Sequence, residues 1–163
     1  MMWVDVVSRV VHVGTAIALV GGSVFTLFVL LPAAKLLSPE AHETLASGIG
    51  ARWKRFVHLG VLLFLASGFY NYFQAIPLHK GDGLYHALVG TKILLALFVF
   101  FVSAALVGRS AGLQAIRDQR EKWLKILVLV AAIIVCISGF VKVRGTTSLD
   151  AAEVTVTEPE VAP

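Results

Sequence analysis

A single cysteine, Cys136, stands in 163 residues. No disulfide can close within the chain, and it has neither a C-x-x-C-H haem-attachment motif nor a paired-cysteine zinc pattern. The bland reading of Cys136 is a small packing residue. Carboxylates are scarce: Asp and Glu number 10, and none falls inside the long apolar runs. A proton pump built on intramembrane carboxylates therefore has no candidate residue. No Ser-His-Asp order, glycine-rich phosphate loop or H-E-x-x-H is present, so hydrolysis has no motif. Methionine is confined to Met1 and Met2, which leaves the apolar runs without thioether ligands for Cu(I).

What the chain has instead is apolar surface. Hydrophobic residues make up 58% of it, and the mean hydropathy is +0.85, against about 45–50% apolar in soluble domains. Formal charge is +4, but the charged residues lie mostly between the apolar runs or in the tail, not on a basic face that would bind nucleic acid. Four runs, at 10–31, 56–76, 85–107 and 123–143, reach the roughly 20 residues that a membrane span needs. Continuous apolar runs without strand alternation predict helices, the form that satisfies its own backbone in lipid. Pro32, Pro77, Gly108 and the Arg144–Gly145 pair punctuate them.

The expected fold is an all-α membrane protein, an up-down-up-down bundle of four transmembrane helices spanning 1–144. The first run exceeds the about 7–15 residues of a signal-peptide core and has Asp5 in its leading end, so a retained helix is expected. In the first connection, SPEAHE offers Ser38 as N-cap, Pro39 for the first turn, and Glu40 and Glu43 for the positive helix end. That predicts a short surface helix over 38–48. The polar, acidic segment 145–163 is expected to be a disordered tail.

Lysine and arginine set the orientation. One face carries Arg9, Lys80, Lys142 and Arg144; the other carries Lys35, Arg52, Lys54, Arg55, Arg109, Arg117, Arg120, Lys122 and Lys125. Nine against four favours the second face as cytoplasmic, with both termini outside. A bacterial inner membrane with periplasmic termini is the expected setting.

Ionisable groups inside such runs are costly and point to function. His42 and His79 lie in connections. His12 and His86 enter their runs from the same face, so at about 1.5 Å per residue they share a level. His58 enters from the other face, roughly 27 Å from the far end of its helix. Around its helix, His12 shares a stripe with Thr15, Ala16, Leu19, Ser23 and Thr26, small enough for close helix packing. Gly21 and Gly22 thin the helix further and leave room for a flat ligand.

First and third helices are diagonal in this bundle, so His12 and His86 can face each other across the core. Two imidazoles at one level suit haem iron, and Arg9, one turn outward, suits an anionic propionate. The competing reading of His12 is a polar contact to a hydroxyl or carbonyl across helices; that of His86 is an interfacial ring beside Tyr85. Lys92 lies about two turns into the third run, about 120° around from His86. It either snorkels outward or faces a carboxylate, a propionate or a metal position. His58, after the basic aromatic stretch RWKRFVH, is an interfacial residue or part of a second haem or metal site. Asn71 and Gln74 are available to bond a cofactor or to cap their helix.

Three stretches carry a resemblance. WVDVVSRVVHVGTAIALVGGSVFTLFVLLPA resembles the first helix of HemJ-type protoporphyrinogen oxidases and of the membrane domain of CopD-type copper-resistance proteins, at His12 and at Gly21–Gly22. RWKRFVHLGVLLFLASGFYN resembles their second helix, with its basic start and Ser67–Gly68 pair. LYHALVGTKILLALFVF resembles their third, with Lys92 at the lysine of the HemJ type. Leu19 departs from the pattern, which has tryptophan there. The resemblance implies haem b, held without a covalent link by His12 and a ligand from the third helix, His86 or Lys92.

The leading expectation is a membrane b-type haem protein in electron transfer or haem-linked oxidation, with protoporphyrinogen-oxidase-like chemistry as the enzymatic form. Its cofactor-binding set is His12, His86, Lys92, Arg9 and Gly22, with His12 and His86 on iron. Its partners are the lipid bilayer, haem and a redox partner or quinone; a homo-oligomer is compatible, and nucleic acid is not. The rivals are a CopD-like copper transport or handling protein and a cofactor-free structural subunit.

Overall fold

The computed structural model describes the backbone of residues 2–156 and the side chains of residues 2–145. Four helices are long and apolar enough to cross a membrane. We label them α1 (Met2–Ala34), α2 (Pro39–Ala75), α3 (Gly83–Val107) and α4 (Arg120–Val156). Along α4 the apolar span ends at Gly145. Helix α1 packs on α2 and α4, and α3 packs on the same two, so α1 and α3 stand diagonally. This is the all-α, four-helix membrane protein that the apolar runs predict.

Three features depart from expectation. Pro32 does not end α1. The chain passes through a π-helical turn at Thr26–Leu30, in which the Leu31 N–H reaches the Thr26 carbonyl, and continues helically over Leu31–Ala34. Proline lacks an N–H and crowds the preceding turn; a wider turn just before it absorbs both problems.

The expected surface helix over 38–48 is not a separate element. Ser38 does cap it, its Oγ accepting from the Ala41 N–H at 3.4 Å, but the helix runs unbroken into the second span. Gly48 and Gly50 stay helical, and the positive-φ glycine among the described residues is Gly81. The third departure is at the far end. Helix α4 runs on to Val156, where a disordered tail is expected from 145, because nothing between Gly145 and Val156 is a proline. Residues 157–163 of that expected tail lie outside the described residues.

Small side chains line the interior. Val57, Val102, Ala105, Leu127 and Ala131 are buried, together with Ser23, Thr26 and Ser67. The three hydroxyls return their protons to their own helices, Ser23 to Leu19 O (2.9 Å), Thr26 to Gly22 O (2.7 Å) and Ser67 to Leu63 O (2.7 Å). Large side chains such as Ile17, Phe28, Leu62, Leu94 and Val135 face outward, as does Cys136, which is exposed and not packed. Lipid removes the hydrophobic drive between helices, so close contact through small residues carries association.

The α1–α2 seam shows this at three levels. A Cβ on Gly22 would collide with the six-membered ring of Trp53, one on Gly60 would meet Leu19, and one on Gly68 would meet His12. Each glycine is the hole for a side chain of the facing helix.

Candidate functional site

The seam positions His12. Its ring lies against Phe64, with centroids 4.0 Å apart and planes tilted by 39°, and closes over Gly68. The Nδ1 atom is 3.1 Å from Ser67 Oγ. A serine hydroxyl has one proton. Ser67 gives it to the Leu63 carbonyl at 2.7 Å, so Ser67 Oγ accepts from His12, and Nδ1 carries the ring proton. The Nε2 lone pair is left for another partner. This is how metal-bound histidines are oriented, the second nitrogen being tied to a neighbouring acceptor. It also realises the competing reading of His12, a contact to a hydroxyl across helices.

Above His12 the seam is polar. Ser8 Oγ donates to the Ser67 carbonyl at 3.3 Å. Tyr70 donates its hydroxyl proton to Asp5 Oδ1 at 2.8 Å, and Gln74 Nε2 donates to the same carboxylate at 3.4 Å and to the Tyr70 oxygen at 3.3 Å. Asp5, Phe64, Ser67 and Tyr70 are the residues that sequence reasoning missed as neighbours of His12. Their signal was present: Phe64, Ser67 and Tyr70 recur every three residues, one face of a helix.

Lys92 is half-buried. It has no hydrogen-bond or ion-pair partner among the described residues. His86 does not join it. Its ring is exposed, and Nε2 donates to the His79 carbonyl at 3.1 Å. A carbonyl only accepts, so His86 Nε2 carries a proton, and the ring is fastened to the loop before α3. His12 is turned into the α1–α2 seam and His86 onto the loop before α3, so the two rings do not share a partner.

The surrounding loop is ordered by its own contacts. His79 stacks on Tyr85 at 3.6 Å, nearly parallel at 8°. Asp82 caps α3 by accepting from the Tyr85 N–H at 3.0 Å, and Arg144 donates to both its oxygens at 3.2 and 3.0 Å. The Tyr85 amide and the Arg144 guanidinium hold the Asp82 carboxyl below the usual carboxylate range.

The remaining predicted positions do not gather around His12. Arg9 is exposed. The room at Gly22 is taken by the Trp53 indole, and Trp53 stacks on Phe56 at 5.2 Å. His58 is exposed, its Nδ1 donating to its own helix at Lys54 O (2.7 Å). His12 could hold a haem iron through its free Nε2, with Lys92 of α3 as the candidate second group. The residues do not fit a sandwich of two histidines, and Phe64, edge-on to Phe100 at 5.3 Å, covers one face of the His12 ring. Among the described residues no group of three or more His, Cys, Asp or Glu is placed to hold a bare metal ion. No protein-family model matches the chain, and no curated protein or solved structure matches it either.

Proposed function

We propose that this is an integral membrane protein that binds haem b through His12 and acts in electron transfer or haem-linked oxidation. One observation carries the reading: the His12 ring is held at Nδ1 by Ser67 Oγ at 3.1 Å, in the tautomer that leaves the Nε2 lone pair free for iron. Haem would supply one-electron chemistry at that nitrogen. Ser67 fixes the tautomer, Gly68 allows the ring to approach α2, and Lys92, half-buried on α3, would serve as second ligand or as counter-charge to a propionate. His86 is left out of the ligand set, because its Nε2 proton is committed to His79. The nine-to-four excess of cations at the Arg52–Arg120 end orients that end to the cytoplasm.

The test is the visible spectrum of the protein purified in detergent after expression with ample haem. A Soret band that shifts on reduction with dithionite is expected. His12→Ala should lose the haem, Lys92→Ala should shift or weaken the band, and His86→Ala should leave it unchanged. A colourless preparation overturns the reading, and copper found by elemental analysis without haem replaces it with the copper-handling one.

A further inference from the structure

The opposite end of the bundle has the reverse problem, donors without acceptors. Arg117 Nη1 and Arg120 Nε are buried and have no hydrogen-bond partner. Such orphaned groups are costly, and charged ones more so. Of the two carboxylates nearest in sequence, Glu121 is already engaged, accepting from Lys35 at 3.0 Å and from Lys125 at 2.9 Å, and Asp118 forms no ion pair among the described residues. Neither arginine is in an ion pair among the described residues.

Arg120 forms part of the wall of a small, partly open cavity lined by all four helices. Ser23, Thr26, Trp53, Ser103 and Leu124 share that wall. Its volume is about 20 Å³, enough for one water-sized group. A whole anion does not fit, but a single oxygen does. Ser23 and Thr26 have spent their protons on their own helices. Ser103 has no such bond among the described residues, so its hydroxyl and the guanidinium are the donors that line the space. Both arginines flank the start of α4, whose first N–H groups add positive potential. This end also has the excess of Lys and Arg.

We propose that Arg120, supported by Arg117 and Ser103, binds a phosphate-type oxyanion at this end of the bundle, one oxygen entering the cavity and the rest of the group remaining outside. The same chemistry is offered by a phospholipid headgroup and by free phosphate. Guanidinium forks match phosphate oxygens geometrically, which a lysine does not.

The experiment is thermal unfolding of the full chain in detergent, titrated separately with phosphatidylglycerol and with inorganic phosphate. Diacylglycerol and chloride at matched ionic strength serve as the controls. Stabilisation by the lipid alone identifies a headgroup; stabilisation by inorganic phosphate identifies a free anion; either supports the site. Arg120→Gln should weaken the apparent affinity by about tenfold or more, while Arg109→Gln, an exposed arginine at the same end, should leave it unchanged. Should Arg120→Gln not fold, Arg117→Gln is decisive in its place, since unchanged affinity there overturns the proposal. No response to either phosphate source, or an equal response in Arg120→Gln, overturns it as well.

Discussion

The two ends of this bundle treat polar groups in opposite ways. Around Met2 a set of polar side chains has found protein partners: Asp5 with Tyr70 and Gln74, Ser8 and His12 with Ser67, Asp82 with Arg144. Half-buried Lys92 has none among the described residues. Around Arg120, buried nitrogens have none. A satisfied network rigidifies and specifies packing. A buried unsatisfied donor needs a reason, and a ligand is one. The comparison therefore separates the polar groups that hold the helices together from those, such as His12 Nε2, Lys92, Arg117 and Arg120, that have bonding capacity left over.

Five substitutions probe that division. Ser67→Ala is expected to do most. It removes the acceptor of His12 Nδ1 inside the seam and should cost about 1–3 kcal/mol in thermal unfolding; a stability equal to the parent would show that the network is idle. Next come two neighbouring glycines with opposite outcomes. Gly22→Ala drives a methyl into the Trp53 ring, whereas Gly21→Ala meets nothing within 4 Å. The first should lower the melting temperature, by overpacking worth about 1 kcal/mol or more. The second should hold or raise it, since alanine is the better helix former. Equal shifts would deny the interlock.

A smaller effect is expected at Asp82. Its carboxyl titrates below its unfolded value, so its contribution is present above about pH 4 and is lost as pH falls through the lowered folded value. Acid should thus loosen the α3 cap and the Arg144 link, and Asp82→Asn should remove that part of the pH dependence of unfolding. Least is expected of Lys35→Gln. Its bridge to Glu121 is exposed, at 69% and 47% for the two side chains; exposed pairs contribute little, and no measurable change in unfolding is anticipated.

The spans were legible because lipid imposes a composition on roughly 20 consecutive residues at once. The Ser38–Pro39 start was legible because capping is local. Pro32 misled for the same reason: its ordinary meaning is local, and a π turn overrides it. His12 illustrates a different limit. Its depth follows from counting residues, but its partner depends on rotation about the helix axis and on which neighbour lies closest. Adjacent α2 supplied Ser67 and Phe64 before diagonal α3 could supply His86. Trp53 reads as an interfacial anchor by its basic neighbours, yet its ring fills the notch at Gly22, a pairing that no spacing rule announces.

The unbroken course of α2 has a mechanical consequence. Its 37 residues measure about 55 Å at 1.5 Å each, while the hydrocarbon slab is about 30 Å thick. About 25 Å of the rod therefore stands clear of the slab at the Arg120 end. Being one rod, it has no joint at which motion can be absorbed. A tilt of about 10° in the membrane would carry the Pro39 tip through about 4 Å in the aqueous layer, so the helix that orients His12 through Ser67 is also a pointer, reporting the attitude of the seam outside the bilayer.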